Sequence, residues 1–121
     1  MSDRLPAILS RSIDVDRAEF ELFIPSTLFW FLGHFPSQPI LPGIVQLHWA
    51  LFLAKDAGLP VPVSAQDFQV KYQAMVLPEM YVHLSVMGSE ERGIFNFKYI
   101  NNDQIFSSGS ARLVPRGLRH E

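Results

Sequence analysis

The chain has 121 residues, of which 48% are apolar, 12% aromatic and 18% charged. That is enough apolar material for one packed core and too little length for two. Ten Lys and Arg stand against twelve Asp and Glu, a formal net charge of −2, and there is no Cys. The charge balance argues against nucleic-acid binding through a basic surface. The absence of Cys excludes disulfides, thiolate nucleophiles, cysteine zinc sites and iron–sulfur clusters, and fits a reducing, cytoplasmic setting.

The N-terminal stretch MSDRLPAILSRSIDVDR is charged before any apolar run develops, unlike a signal peptide. Ala18 to Ile24 alternates Phe20, Leu22 and Ile24 against Glu19, Glu21 and Phe23, the period of a strand. Phe29, Trp30, Phe31 and Phe35 crowd the next segment, which runs into HFPSQPILPG with Pro36, Pro39 and Pro42 three apart. Each proline fixes its own φ and disfavours helix in the residue before it, so this loop is stiff and extended. Pro42 suits the first position of a helix. That helix is expected to run to Lys55 or Asp56 and to stop at Gly58 and Pro60. Ile44, Val45, Leu47, Trp49, Leu51, Phe52 and Leu53 make nearly every face apolar, which predicts burial on all sides. The greasy run from Ile40 to Ala54 holds Gln46 and His48 and falls short of the roughly 20 residues a spanning helix needs, so no membrane insertion is expected.

Four strands follow: Ala65 to Met75, Met80 to Met87, Ile94 to Ile100 and Gln104 to Val114, with turns at Leu77-Pro78-Glu79, Gly88 to Gly93 and Asn101-Asn102-Asp103. Sequential strands joined by short turns predict an antiparallel sheet. Covering the apolar helix requires the sheet to curl around it. The expected fold class is α+β, a single domain over 1–121 with an antiparallel sheet wrapped around one long central helix.

The segment from Gly33 to Gly43, GHFPSQPILPG, resembles the signature of the hotdog-fold 3-hydroxyacyl-[acyl-carrier-protein] dehydratases. That signature is Gly-His-Phe-Pro, two residues, Pro, two residues and Pro-Gly, followed by an apolar helix. Val70 to Glu79, VKYQAMVLPE, is similar to the family's strand and Leu-Pro-Gly-Asp turn, with Glu79-Met80 in place of Gly-Asp. Length and the GIVQL start of the helix place the chain near the small dehydratase-like proteins of aryl polyene clusters. The resemblance implies a hotdog dimer with a site at each subunit interface, no cofactor of its own, and a substrate carried on the phosphopantetheine arm of acyl carrier protein. It implies loss of water from a (3R)-3-hydroxyacyl thioester to give the trans-2-enoyl thioester. Two features depart from the family. The usual N-terminal segment is missing, and His48 stands where the family has Glu or Asp, fourteen residues after the motif His.

The chemistry needs a base for the α-proton, a donor for the enolate oxygen and an acid for the leaving hydroxyl. His34 suits the base, because imidazole titrates near neutral pH. The N–H groups of Gly43 and Ile44 are the first free donors after Pro42, at the positive end of the helix dipole, and Gly43 has no side chain to block a thioester. His48 is either the proton donor to the hydroxyl or a core histidine that replaced a lost acid; its stripe with Ile44, Leu47 and Leu51 predicts that it faces core or pocket. Phe35, Pro42, Ile44 and Leu47 are the expected substrate contacts. Phe29, Trp30, Phe31, Trp49 and Phe52 either line an acyl channel or fill the core. Ser107-Ser108-Gly109, beside Phe106, offers room for a thin thioester arm. Arg112, Arg116 and Arg119 offer a basic patch for an acidic carrier protein, or a solvated tail. Two His with no nearby third ligand make a poor metal site, so no metal is expected. The rivals to dehydration are thioester hydrolysis, disfavoured because the helix has no carboxylate before Asp56, and a degenerate subunit completing a heterodimer with an active dehydratase.

Overall fold

The computed structural model describes residues 4–31, 40–64 and 67–114. The elements run β1 (Ala7–Ile13), β2 (Arg17–Phe23), a 3-10 turn (Phe29–Phe31), α1 (Gly43–Asp56), β3 (Gln69–Tyr72), β4 (Tyr81–Ser89), β5 (Ile94–Asn101) and β6 (Gln104–Arg112). All six strands form one antiparallel sheet in the order β1-β2-β4-β5-β6-β3.

The alternation in β2, β4 and β5 does what it predicts. Phe20, Leu22, Val82, Leu84, Val86, Phe95, Phe97 and Tyr99 point inward and meet Val45, Leu47, Trp49, Ala50, Leu53 and Ala54 of α1 in one core. Gly58, with φ of 89°, ends the helix region, and Asn102, with φ of 52°, makes the β5–β6 turn.

Three expectations need correction. A strand precedes the expected first one: β1, all of whose residues are exposed, pairs through its backbone with β2 around an irregularity between Ile8 and Ser10. The strand after the helix does not form a hairpin with the next. β3 is four residues long and crosses to pair with β6, Tyr72 opposite Ser107, while β4 pairs with β2. The helix is not buried on all sides either. Ile44 and Phe52 are 55% and 52% exposed, and His48 lies between them on the same open stripe.

Glu79 occupies the left-handed region with φ of 69°, at the place where the related turn has glycine. Its N–H donates to the Ile24 carbonyl at 2.6 Å, and its carboxylate accepts from the Ser26 N–H at 3.1 Å. Those bonds hold a conformation that costs a side-chain-bearing residue roughly 1–2 kcal/mol. Glu79→Ala keeps the strain and loses the Ser26 contact, whereas Glu79→Gly relieves the strain. Unfolding free energies from urea titration should therefore rank Glu79→Gly above Glu79→Ala by about 1 kcal/mol.

The outer face of the sheet is polar. Glu19, Ser85, Lys98, Ser108 and Lys71 lie side by side across five strands. His83 sits between two carboxylates of β2, its Nδ1 bonded to Glu21 and its Nε2 to Glu19, and Ser85 Oγ donates to Glu19 at 3.1 Å. Burial opposes the charged imidazole, but the two carboxylates outweigh it and raise the pKa above its ordinary value. A raised folded-state pKa gives stability that is complete below the unfolded value of about 6.5 and is lost as pH rises through the folded value. We expect the melting temperature to fall across that window, and the fall to vanish in Glu19→Gln/Glu21→Gln. An unchanged pH profile in the double variant would contradict this.

Candidate functional site: the start of the central helix

Pro42, with φ of −59° and ψ of 144°, is the N-cap of α1 rather than its first residue, and no side chain caps the helix. Its carbonyl accepts from Val45 N–H at 3.1 Å and Gln46 N–H at 3.2 Å. Among the described residues, the N–H groups of Gly43 and Ile44 have no hydrogen-bond acceptor. They are the orphan donors of a helix N-terminus, where anionic character is stabilised.

The turn leading into them is fixed from below and from the side. Leu41 N–H donates to the Val76 carbonyl at 2.8 Å, joining the loop to the segment after β3. Gln46, only 3% exposed, donates from Nε2 to the Leu41 carbonyl at 3.3 Å and accepts from Ser107 Oγ at 2.7 Å. Tyr99, also buried, donates from its hydroxyl to the Gln46 main-chain carbonyl at 2.7 Å. Burial and the nearby Tyr72 push the Tyr99 phenol well above its ordinary pKa, so it remains a donor. This closed polar network under an apolar helix was missed in the sequence. Gln46, a single polar residue on the buried side, was its one visible signal.

The ring of Tyr72 lies against Gly43. A Cβ on Gly43 would stand 2.5 Å from Tyr72 Cε1 and 2.6 Å from Cζ. The absent side chain is therefore what admits the ring to the helix start.

The other expected site residues distribute as follows. His34 and Phe35 lie outside the described residues. Ile44 is exposed beside Gly43, whereas Leu47 is in the core. His48 is exposed, so of the two expected placements, core or pocket, it does not take the core: one residue past Leu47, the helix has turned it to the open stripe. Trp49 is core, Trp30 and Phe31 are partly buried against it, and Phe29 and Phe52 are exposed. On the core side the expected room at Ser107 and Gly109 is filled, while Ser108 lies on the polar outer face between Lys71 and Lys98. Ser107 is buried and bonded to Gln46, and a Cβ on Gly109 would meet the Phe97 ring at 2.5 Å. Arg112 is exposed, and Arg116 and Arg119 lie outside the described residues. Asp56 is at the far end of α1, 3.7 Å from Arg11, so it adds no carboxylate to the helix start.

One antiparallel sheet wrapped over a single central helix, with loop and N-cap proline leading into Gly43, defines a hotdog-fold protein. A sequence model of the ApeI-like family, described as ApeI dehydratase, matches residues 10–110, and the chain belongs to that family. It is similar to a chain of the dehydratase heterocomplex ApeI:P from Xenorhabdus doucetiae, with 31% identity over 88% of this chain and 96% of that one and a TM-score of 0.77. An uncharacterized protein from Erwinia carotovora subsp. atroseptica matches at 30% identity over 93% and 98% of the two chains, TM-score 0.72. The dehydratase domain of PpsC from Mycobacterium tuberculosis shares the fold at 15% identity, covering 98% of this chain and 47% of that one, TM-score 0.61. Among the described residues, no helix is long and apolar enough to cross a membrane.

Proposed function

We propose that this dehydratase-family chain removes water from (3R)-3-hydroxyacyl thioesters carried on acyl carrier protein, giving the trans-2-enoyl thioester. The observation that carries the reading is the start of α1. Two N–H groups with no acceptor among the described residues stand at Gly43 and Ile44, on a turn held by Gln46 and Val76, and in the sequence they follow the proline-rich motif that carries His34. A thioester oxygen placed there gains hydrogen bonds as its charge grows, the condition for stabilising an enolate. His34 takes the α-proton, the double bond forms as the β-carbon–oxygen bond breaks, and the hydroxyl leaves with one added proton as water. His48 supplies that proton, and it does so to a substrate shared with a partner subunit, since in the free chain it points away from the core.

The partner in this reading is a second hotdog subunit, either a copy of this chain or a related one. Ile44, Phe52, Tyr72 and Met75 are all more than half exposed, and β3 is an open sheet edge next to them. The heterocomplex assembly of the Xenorhabdus relative favours the related subunit. It also favours the second reading, in which this chain completes the dimer and its mate does the chemistry. Hydrolysis is supported less, because Asp56 stands at the wrong end of α1.

The test is turnover of a 3-hydroxyacyl pantetheine thioester by the full chain, alone and with its related subunit, followed by the ultraviolet absorbance of the conjugated enoyl product. Enoyl product from the chain alone supports the first reading. Product only from the mixture, surviving His34→Ala in this chain, would move the chemistry to the partner. Free acid would mean hydrolysis.

A further inference from the structure

Two tyrosines lie beneath the start of α1, and their hydroxyls differ in one respect. The Tyr99 hydroxyl is engaged by the Gln46 carbonyl at 2.7 Å. The Tyr72 hydroxyl has no hydrogen-bond partner among the described residues, although it lies 3.0 Å from the point where a Gly43 Cβ would stand. Its ring is held there by the sheet. Tyr72 is the last residue of β3 and pairs with the buried Ser107, and both Gln73 and Ala74 donate main-chain N–H bonds to the Phe106 carbonyl, at 2.8 and 3.2 Å. The side chain is nevertheless about half exposed, so its hydroxyl is open to a ligand that reaches the helix start. Partial burial raises the phenol pKa above its ordinary value, which keeps the proton on the oxygen at neutral pH.

We infer that Tyr72 is a further catalytic residue, whose phenol O–H donates to the thioester carbonyl oxygen alongside the Gly43 N–H. This rests on the proposed dehydration site. It gives the glycine a second purpose: Gly43 leaves space for the thioester and also for the ring that brings the hydroxyl to it. It also explains how an enolate oxygen is stabilised at a helix start that no side chain caps. Such a donor acts on charge that develops in the reaction, so its loss falls mainly on kcat.

The experiment compares the full-length native chain, with its related subunit where turnover needs it, with Tyr72→Phe, which keeps the ring and removes the donor. Three quantities are read: kcat and KM for a 3-hydroxyacyl pantetheine thioester, calorimetric affinity for the corresponding non-reactive amide, and melting temperature. We expect Tyr72→Phe to lower kcat about 10²-fold, with KM changed far less and the melting temperature unchanged. Native turnover that Tyr72→Phe leaves intact would overturn the assignment and keep the reaction. Amide binding without turnover, weakened about tenfold by Tyr72→Phe, would overturn the reaction and keep the contact. Amide binding without turnover that Tyr72→Phe does not weaken would overturn both, as would neither binding nor turnover. A fall in melting temperature that accounts for the lost activity would make Tyr72 a packing residue and would also overturn the assignment.

Discussion

Gln46→Leu is expected to lower the melting temperature by roughly 10–20 °C. Leucine matches the volume closely, so the change is chemical rather than steric. It removes the acceptor of Ser107 Oγ and the donor to the Leu41 carbonyl, both beneath α1. Ser107 is fully buried. A buried polar group left without its partner costs about 1–3 kcal/mol, so the two together cost about 2–6 kcal/mol. Tyr99→Phe is a milder control. It frees a carbonyl that keeps its place in the helical ladder, and about 1 kcal/mol is expected. Thermal unfolding followed by circular dichroism measures both. A shift of only a few degrees for Gln46→Leu would show that the network does not hold the helix start in place. Because the same bonds fix Leu41 ahead of Pro42 and Gly43, Gln46→Leu should also blunt turnover at temperatures where it is still folded.

His34→Ala is expected to reduce dehydration about 10²- to 10⁴-fold, the usual contribution of a positioned general base. Melting temperatures of the native protein and the variant, measured alongside turnover, separate a chemical loss from a folding loss. The proline frame argues for this role. Pro36, Pro39 and Pro42 restrict the path between His34 and the helix start, and a base is useful only at a fixed distance from the proton it removes. Retention of full activity in His34→Ala would remove the base from the mechanism. His48→Ala is the companion variant. Its exposure predicts an unchanged melting temperature for the free chain, so any loss of turnover is attributable to chemistry or to the partner contact.

The fold was legible wherever one face of an element is buried. Phe20 and Leu22, Val82 to Val86, and Phe95 to Tyr99 alternate because the core takes every second residue. β1 was invisible for the complementary reason. It buries neither face, so Ala7 to Ile13 leaves no period in the sequence, and only its backbone pairing with β2 makes it a strand. Strand order was hidden as well. Short turns show which strands follow one another, but the crossing of β3 to β6 comes from curling the sheet over α1, a tertiary event. The helix misled by composition. Its open stripe of Ile44, His48 and Phe52 is as apolar as a core face, a pattern equally suited to a face that meets another subunit. At the site, Gly43 could be picked out because Pro-Gly marks a helix start. The roles of Tyr72 and Tyr99 could not, since they are distant in sequence and only the β3–β6–β5 register brings them beneath the same helical turn.

The most direct test of the central claim is intact mass measurement of acyl carrier protein loaded with a (3R)-3-hydroxyacyl group, after incubation with the native protein and with His34→Ala. The account predicts loss of one water with the native protein and almost none with the variant. An unchanged carrier mass with the native protein, whether alone or mixed with a related hotdog subunit, or release of the whole acyl group as free acid, would contradict it.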